Sequence, residues 1–149
     1  MDDSSPAHIL IVPYRVAPTP ALLVTVRERA LAGPTRFTLL VPGGPSSLMR
    51  VERAEDAEDP TIRAILRLAL PGLRGAARGP VEALIGGHDP VAAVSDAVNL
   101  YPIDEVIVST PSPRVSRWLR VDLAHRLEVL GLPVTSVAAS AGSPVPAFA

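Results

Sequence analysis

Four times in this chain a Thr, Asp or Ser stands directly before a proline at the head of a stretch whose apolar residues recur at helical spacing: Thr19-Pro20, Asp59-Pro60, Asp89-Pro90 and Ser112-Pro113. The first side chain of each pair can accept from the open amides of a helix start. The proline supplies a preset φ where its missing N–H costs nothing. With 17 prolines in 149 residues one or two such pairs would arise by chance; four, each leading an apolar periodicity, mark helix boundaries. Between them lie short apolar runs of the kind that form strands covered on both faces: His8–Val12 (HILIV), Phe37–Val41 (FTLLV), Val81–Ile85 (VEALI), Glu105–Ser109 (EVIVS) and, after Gly131, Val134–Ala138 (VTSVA). The alternation is βαβαβαβαβ. It predicts a single three-layer, doubly wound α/β domain with a five-stranded parallel sheet and right-handed crossovers.

The first helix should bury Leu22, Leu23, Val26 and Ala30 and stop at a left-handed Gly33; the second should bury Ile62, Ile65, Leu66, Ala69 and Leu73, with Pro71-Gly72 kinking or ending it. Val91, Val94 and Val98 face inward in the third, and Val115, Leu119, Leu123, Leu127 and Leu130 in the fourth. The domain is expected over 8–138, with 1–7 and 139–149 as flexible ends and 42–59 as a long loop or lid. The acidic end of that loop (Glu52, Glu55, Asp56, Glu58, Asp59) has no glycine-centred turn or regular ligand spacing, so it reads as a solvated approach to a helix N-terminus rather than a metal loop.

Composition removes several function classes. The chain has no cysteine, hence no disulfide, thiolate nucleophile or Cys-based zinc site. It also lacks lysine, which removes a P-loop, a Schiff base and the lysine of a receiver-type phosphorylation site. A net charge of -1 gives no case for a nucleic-acid or membrane-surface partner, and no run approaches the roughly 18 apolar residues of a membrane span. A soluble, cytoplasmic protein is expected. His8, His88 and His125 share no ligand spacing, and no glycine lies between Gly87 and Gly131 to build a nucleophile elbow, so neither a metal site nor a catalytic constellation is expected.

In an open parallel sheet ligands bind beyond the carboxyl ends of the strands. That selects the loops beginning at Pro13, Tyr14 and Arg15, at Gly86 and Gly87, and at Ser109, Thr110 and Ser112. The last leads into a helix that carries Arg114, Ser116 and Arg117 in its first turns, where the helix's own partial positive charge disfavours cations. An anion held there would account for the placement, and a solvent-facing arginine row in a lysine-free protein is the simpler alternative. Trp118, the sole tryptophan, fits a core edge, a dimer contact or a ligand wall.

At this point the chain resembles the universal stress protein family. The residues that carry the resemblance are HILIVPYR, FTLLVP, the Gly-Gly-x-Asp-Pro run before the third helix, DEVIVST and GLPVTSV, in that family's order. The resemblance implies strand order 3-2-1-4-5, a crevice between strands one and four, and homodimers paired through the last strand. It also implies an adenine nucleotide, ATP above all, as the class of ligand. This chain departs from the nucleotide-binding members in two places. Pro13-Tyr14-Arg15 stands where their Asp follows the first strand, and Ser109 and Ser112 stand at the first two positions of their glycine motif. The chain thus resembles a divergent branch without the glycine-rich phosphate loop. A regulatory protein binding a small anionic ligand through side chains, or a ligand-independent homodimeric interaction module, are the two expectations.

Overall fold

The structure, a computed structural model, describes residues 6–13, 20–41, 52–54, 59–87, 90–110 and 131–138, together with 125 and 129. Its elements are β1 (Ala7–Val12), α1 (Pro20–Ala32), β2 (Thr35–Val41), β3 (Glu52–Arg53), α2 (Pro60–Ala77), β4 (Val81–Ile85), α3 (Pro90–Leu100), β5 (Glu105–Thr110) and β6 (Val134–Ala138). The sheet runs β3-β4-β2-β1-β5-β6, and every pairing except β3 with β4 is parallel. Its five parallel strands therefore lie in the order 3-2-1-4-5.

Strand alternation divides the apolar residues between two faces. Ile9 and Ile11 of β1 pair with Phe37 and Leu39 of β2, and with Ile107 they pack against Leu22 and Val26 of α1 and Ile62, Ala69 and Leu73 of α2. Leu10, Val12, Leu40, Leu84, Val106 and Val108 form the opposite face, under Ala93, Val94 and Ala97 of α3. Each fully buried Leu or Ile contributes about 1.5–3 kcal/mol, so both faces are needed to hold the central strands. In α3 the buried row is Ala93, Val94 and Ala97 with Val98 partly covered. Alanines let the helix lie close to the sheet, and a valine row alone does not describe its inner face.

Three expectations are corrected. The 42–59 connection is not wholly loop or lid: Glu52 and Arg53 pair antiparallel with Ile85 and Leu84, and Ala54 is buried. A sheet edge offers unpaired backbone, and even a two-residue strand partly covers it. Next, Pro71 does not end α2, which continues to Ala77. Proline removes one amide and leaves a carbonyl one turn earlier, at Arg67; both residues are exposed, so water can serve that carbonyl while Ala69 and Leu73 remain buried. Third, Gly33 is not left-handed: among described glycines only Gly131 has a positive φ, of 76°. The end of α1 is closed instead by the Thr35 hydroxyl, which donates to the carbonyls of Gly33 at 2.7 Å and Arg29 at 3.1 Å. The left-handed stop belongs to α2, at Arg78 with φ 60°. The fourth helix, the 1–5 and 139–149 ends and Trp118 lie outside the described residues, apart from His125 and Val129, which are helical and exposed.

Candidate functional site

The order of the sheet reverses between β1 and β5. From β1 the chain crosses to β2 on one side, while β5 lies on the other side and leads on to β6. Connections leaving in opposite directions open a crevice at the carboxyl ends of these two strands. Val12 pairs with Val108, so Pro13 and Ser109 are the next residues on adjacent strands, with Thr110 ending β5. Pro13 is half-buried and Ser109 buried. By alternation Ser109 shares the α1 face of the sheet with Glu105 and Ile107, and its strand partner on the far side is Val137. Pro13 offers no N–H, so a ligand here meets fewer backbone donors than at an ordinary strand end.

Gly86 and Gly87 lie elsewhere. The Gly86 N–H donates to the Val41 carbonyl at 2.9 Å, so it continues β4 alongside β2, and β2 stands between it and β1. At the spacing of neighbouring strands this is roughly 10 Å from β1. A Cβ on Gly86 would sit 2.4 Å from the Ala93 Cβ, which ties the glycine to the close seating of α3. Thus Pro13, Ser109 and Thr110 come together and the two glycines do not join them. Tyr14, Arg15, Ser112, Arg114, Ser116 and Arg117 lie outside the described residues.

Helix starts differ in what they can offer. The Asp59 carboxylate accepts from the Thr61 N–H at 2.8 Å, so the N-terminus of α2 already holds a negative charge. A bound anion would be repelled there. Among the described residues no group of three or more His, Cys, Asp or Glu is placed to hold a metal ion.

Sequence reasoning missed two polar clusters at the opposite, amino end of the sheet. Arg29 of α1 donates to both oxygens of Glu105 on β5, at 3.0 Å from Nε and 2.8 Å from Nη2, and the Thr135 hydroxyl of β6 donates to the same carboxylate at 2.7 Å. The Arg29 hydrogen bonds hold the Glu105 carboxyl below its ordinary range against the opposing effect of burial, with Thr135 adding to them. In the second cluster His8 is buried: its Nε2 lies 2.7 Å from the Thr38 Oγ1, its backbone N–H donates to the Asp104 carboxylate at 2.8 Å, and the Asp104 N–H returns a bond to the His8 carbonyl at 2.7 Å. Nδ1 is buried and, among the described residues, has no hydrogen-bond partner. Burial, followed by the nearby Arg36 guanidinium, pushes the imidazole below its usual pKa; Glu82, Asp104 and the Pro102 backbone act the other way. Partners 30 to 106 residues apart leave no local pattern, and the only sequence signal is a histidine heading an otherwise apolar strand.

No protein-family model matches the chain, and a search of curated proteins finds no match.

Proposed function

We propose that the chain is a universal stress protein-like regulatory protein that holds a small anionic ligand, a nucleotide or a phosphate group, in the crevice between β1 and β5. The observation that carries this reading is the reversal of strand order, which sets Pro13 beside Ser109 and Thr110 and feeds directly into the segment bearing Ser112, Arg114, Ser116 and Arg117. With serine and proline where nucleotide-binding relatives would have glycine, the grip falls to hydroxyls and guanidinium groups. Adenine nucleotides such as ATP are the first ligands to test. The role is binding and regulation in a cytoplasmic stress response, not catalysis. Isothermal titration with ATP, AMP and inorganic phosphate is expected to give saturable heat with at least one of them. Arg114→Ala should weaken that binding about tenfold, the equivalent of one charge-assisted hydrogen bond. Absence of heat with all three ligands contradicts the proposal.

A ligand-independent homodimer is the second reading, favoured by one observation. Among the described residues β6 pairs only with β5, which leaves the outer edge of a five-residue strand for a second copy. Sedimentation as a monomer at micromolar concentration would remove it.

A further inference from the structure

α1 and α2 lie side by side on one face of the sheet, and their outer surfaces hold large apolar side chains in the open. Val24 and Leu31 of α1 are 55% and 63% exposed, and Leu68 of α2 is 61% exposed. Val24 and Leu31 stand two helical turns apart and so form one line. On α2, Leu68 shares a line with exposed Ala64, Pro71 and Gly75, spaced by four, three and four residues. The flank of α2 that carries Leu66 and Leu70 borders β4, so the opposite flank, with Ile65 and Ala76, faces α1. Arg29 of α1 reaches toward β5, so Leu23, Arg27 and Ala30 on its other flank face α2. The two apolar lines therefore border one shallow valley between the helices.

A row of arginines follows the valley. At about 100° per residue, Arg63, Arg67, Arg74 and Arg78 fall within an arc of roughly 60° beside the Leu68 line, and all are exposed. Arg27, also exposed, stands on the slope of α1. Within the row Arg74 also donates to the Val81 carbonyl at 3.4 Å. This charge is set by the sequence of the helix itself, since no acidic residue lies between Asp59 and Glu82. Asp59 caps the start of α2, with Arg74 roughly 22 Å further along the axis. Glu82 alternates with Val81 and Ala83, which pack toward α2, and so faces the other side of the sheet. The only carboxylate within α1 or α2, Glu28, lies beyond the Val24 and Leu31 crest.

We infer that the valley between α1 and α2 docks an amphipathic helix with acidic edges, supplied by a partner protein. The apolar stripe of that helix packs on Val24, Leu31 and Leu68, and its carboxylates meet Arg67 and Arg78 on one side and Arg27 on the other. From Arg63 to Arg78 the row spans roughly 22 Å, about four turns of the incoming helix. Charge decides between occupants. A second copy of the chain would set arginine against arginine with only Glu28 to answer. A bilayer would find three large aliphatic side chains and no aromatic one, a small anchor. A nucleic acid would answer the arginines and leave the apolar lines unmatched. The valley faces away from the sheet, so it stands apart from the crevice between β1 and β5 and does not rest on the reading given for it.

The test uses the full chain and a fluorescein-labelled eighteen-residue helical peptide with Leu at helical spacing and Glu along both edges, followed by fluorescence anisotropy at low salt. The expected result is saturable binding that weakens as salt rises. Leu68→Glu should weaken it at least tenfold and Arg67→Glu at least fivefold, with the far-UV circular dichroism unchanged. Leu100→Glu, at an exposed position on the opposite helical layer, should leave binding as it is. Any of three results overturns the inference: no saturable binding, equal binding of the counterpart with Lys in place of Glu, or indifference to both substitutions in α2. Tighter binding to anionic phospholipid vesicles or to duplex DNA than to the peptide also overturns it, as does a dimer that Leu68→Glu converts to monomer.

Discussion

His8 shows what one buried polar side chain does to a small sheet protein. It stands in the first strand of a mainly aliphatic core, bonded at Nε2 to Thr38 and, among the described residues, without a hydrogen-bond partner at Nδ1. Its pKa is lowered, chiefly by burial and then by Arg36, so the unfolded chain takes up this proton at a higher pH than the folded one. The contribution of the neutral ring is therefore fully present above the ordinary value near 6.5 and is lost as pH falls below it toward the folded value. Urea unfolding should show stability declining as pH falls below 6.5. In a His8→Leu, Thr38→Val double variant, which removes both polar partners together, the decline should flatten. Gly86 is the second such position. With a Cβ 2.4 Å from that of Ala93, Gly86→Ala should cost about 1–3 kcal/mol through overpacking, and Ala93→Gly in the same chain should recover part of it. A double-mutant cycle with no coupling between the two would contradict that contact.

Among elements, the tie that matters most is the one from α1 across to β5 and β6. Arg29 grips Glu105 through two nitrogens while Thr135 holds the same carboxylate, so one helix and two strands share a single charged junction. Arg29 is one-third exposed at its side chain, which tempers the strength of the pair. Glu105→Gln should cost about 1–2 kcal/mol at neutral pH. Because the folded carboxyl titrates below its ordinary value of 4.5, this stability is present above that value and disappears as pH falls through the folded one. Wild type and variant should therefore converge in acid-unfolding experiments only once pH falls below 4.5 and past the lowered folded value. Helix starts were legible in the sequence because capping and proline chemistry act within three residues: Pro20, Pro60 and Pro90 all open helices. Helix ends were less so. Gly33 invited a left-handed stop that a threonine hydroxyl made unnecessary, and Pro71 invited a break that buried Ala69 and Leu73 on either side overrode.

For the molecule as a whole, the five parallel strands could be read from apolar runs because both of their faces are buried, and the strand order followed from a resemblance rather than from periodicity. β3 could not be read. Two residues, Glu52 and Arg53, carry no apolar signal, and they form a strand only because the edge of β4 is there to receive them. The candidate site was legible as a set of strand ends, since Pro13 directly follows the first run and Ser109 closes the fourth. The separation of Gly86 from them depends on which strand lies next to which, which no spacing along the chain records. The strand-order reversal between β1 and β5 underlies the proposed function, and amide chemical shifts test it most directly. Titrating ¹⁵N-labelled protein with ATP and with phosphate should move the resonances of Val12, Ser109 and Thr110, while those of Gly86 and Gly87 stay in place. Shifts centred on Gly86 with none at Ser109, or no shifts at all, would contradict an anion site in that crevice.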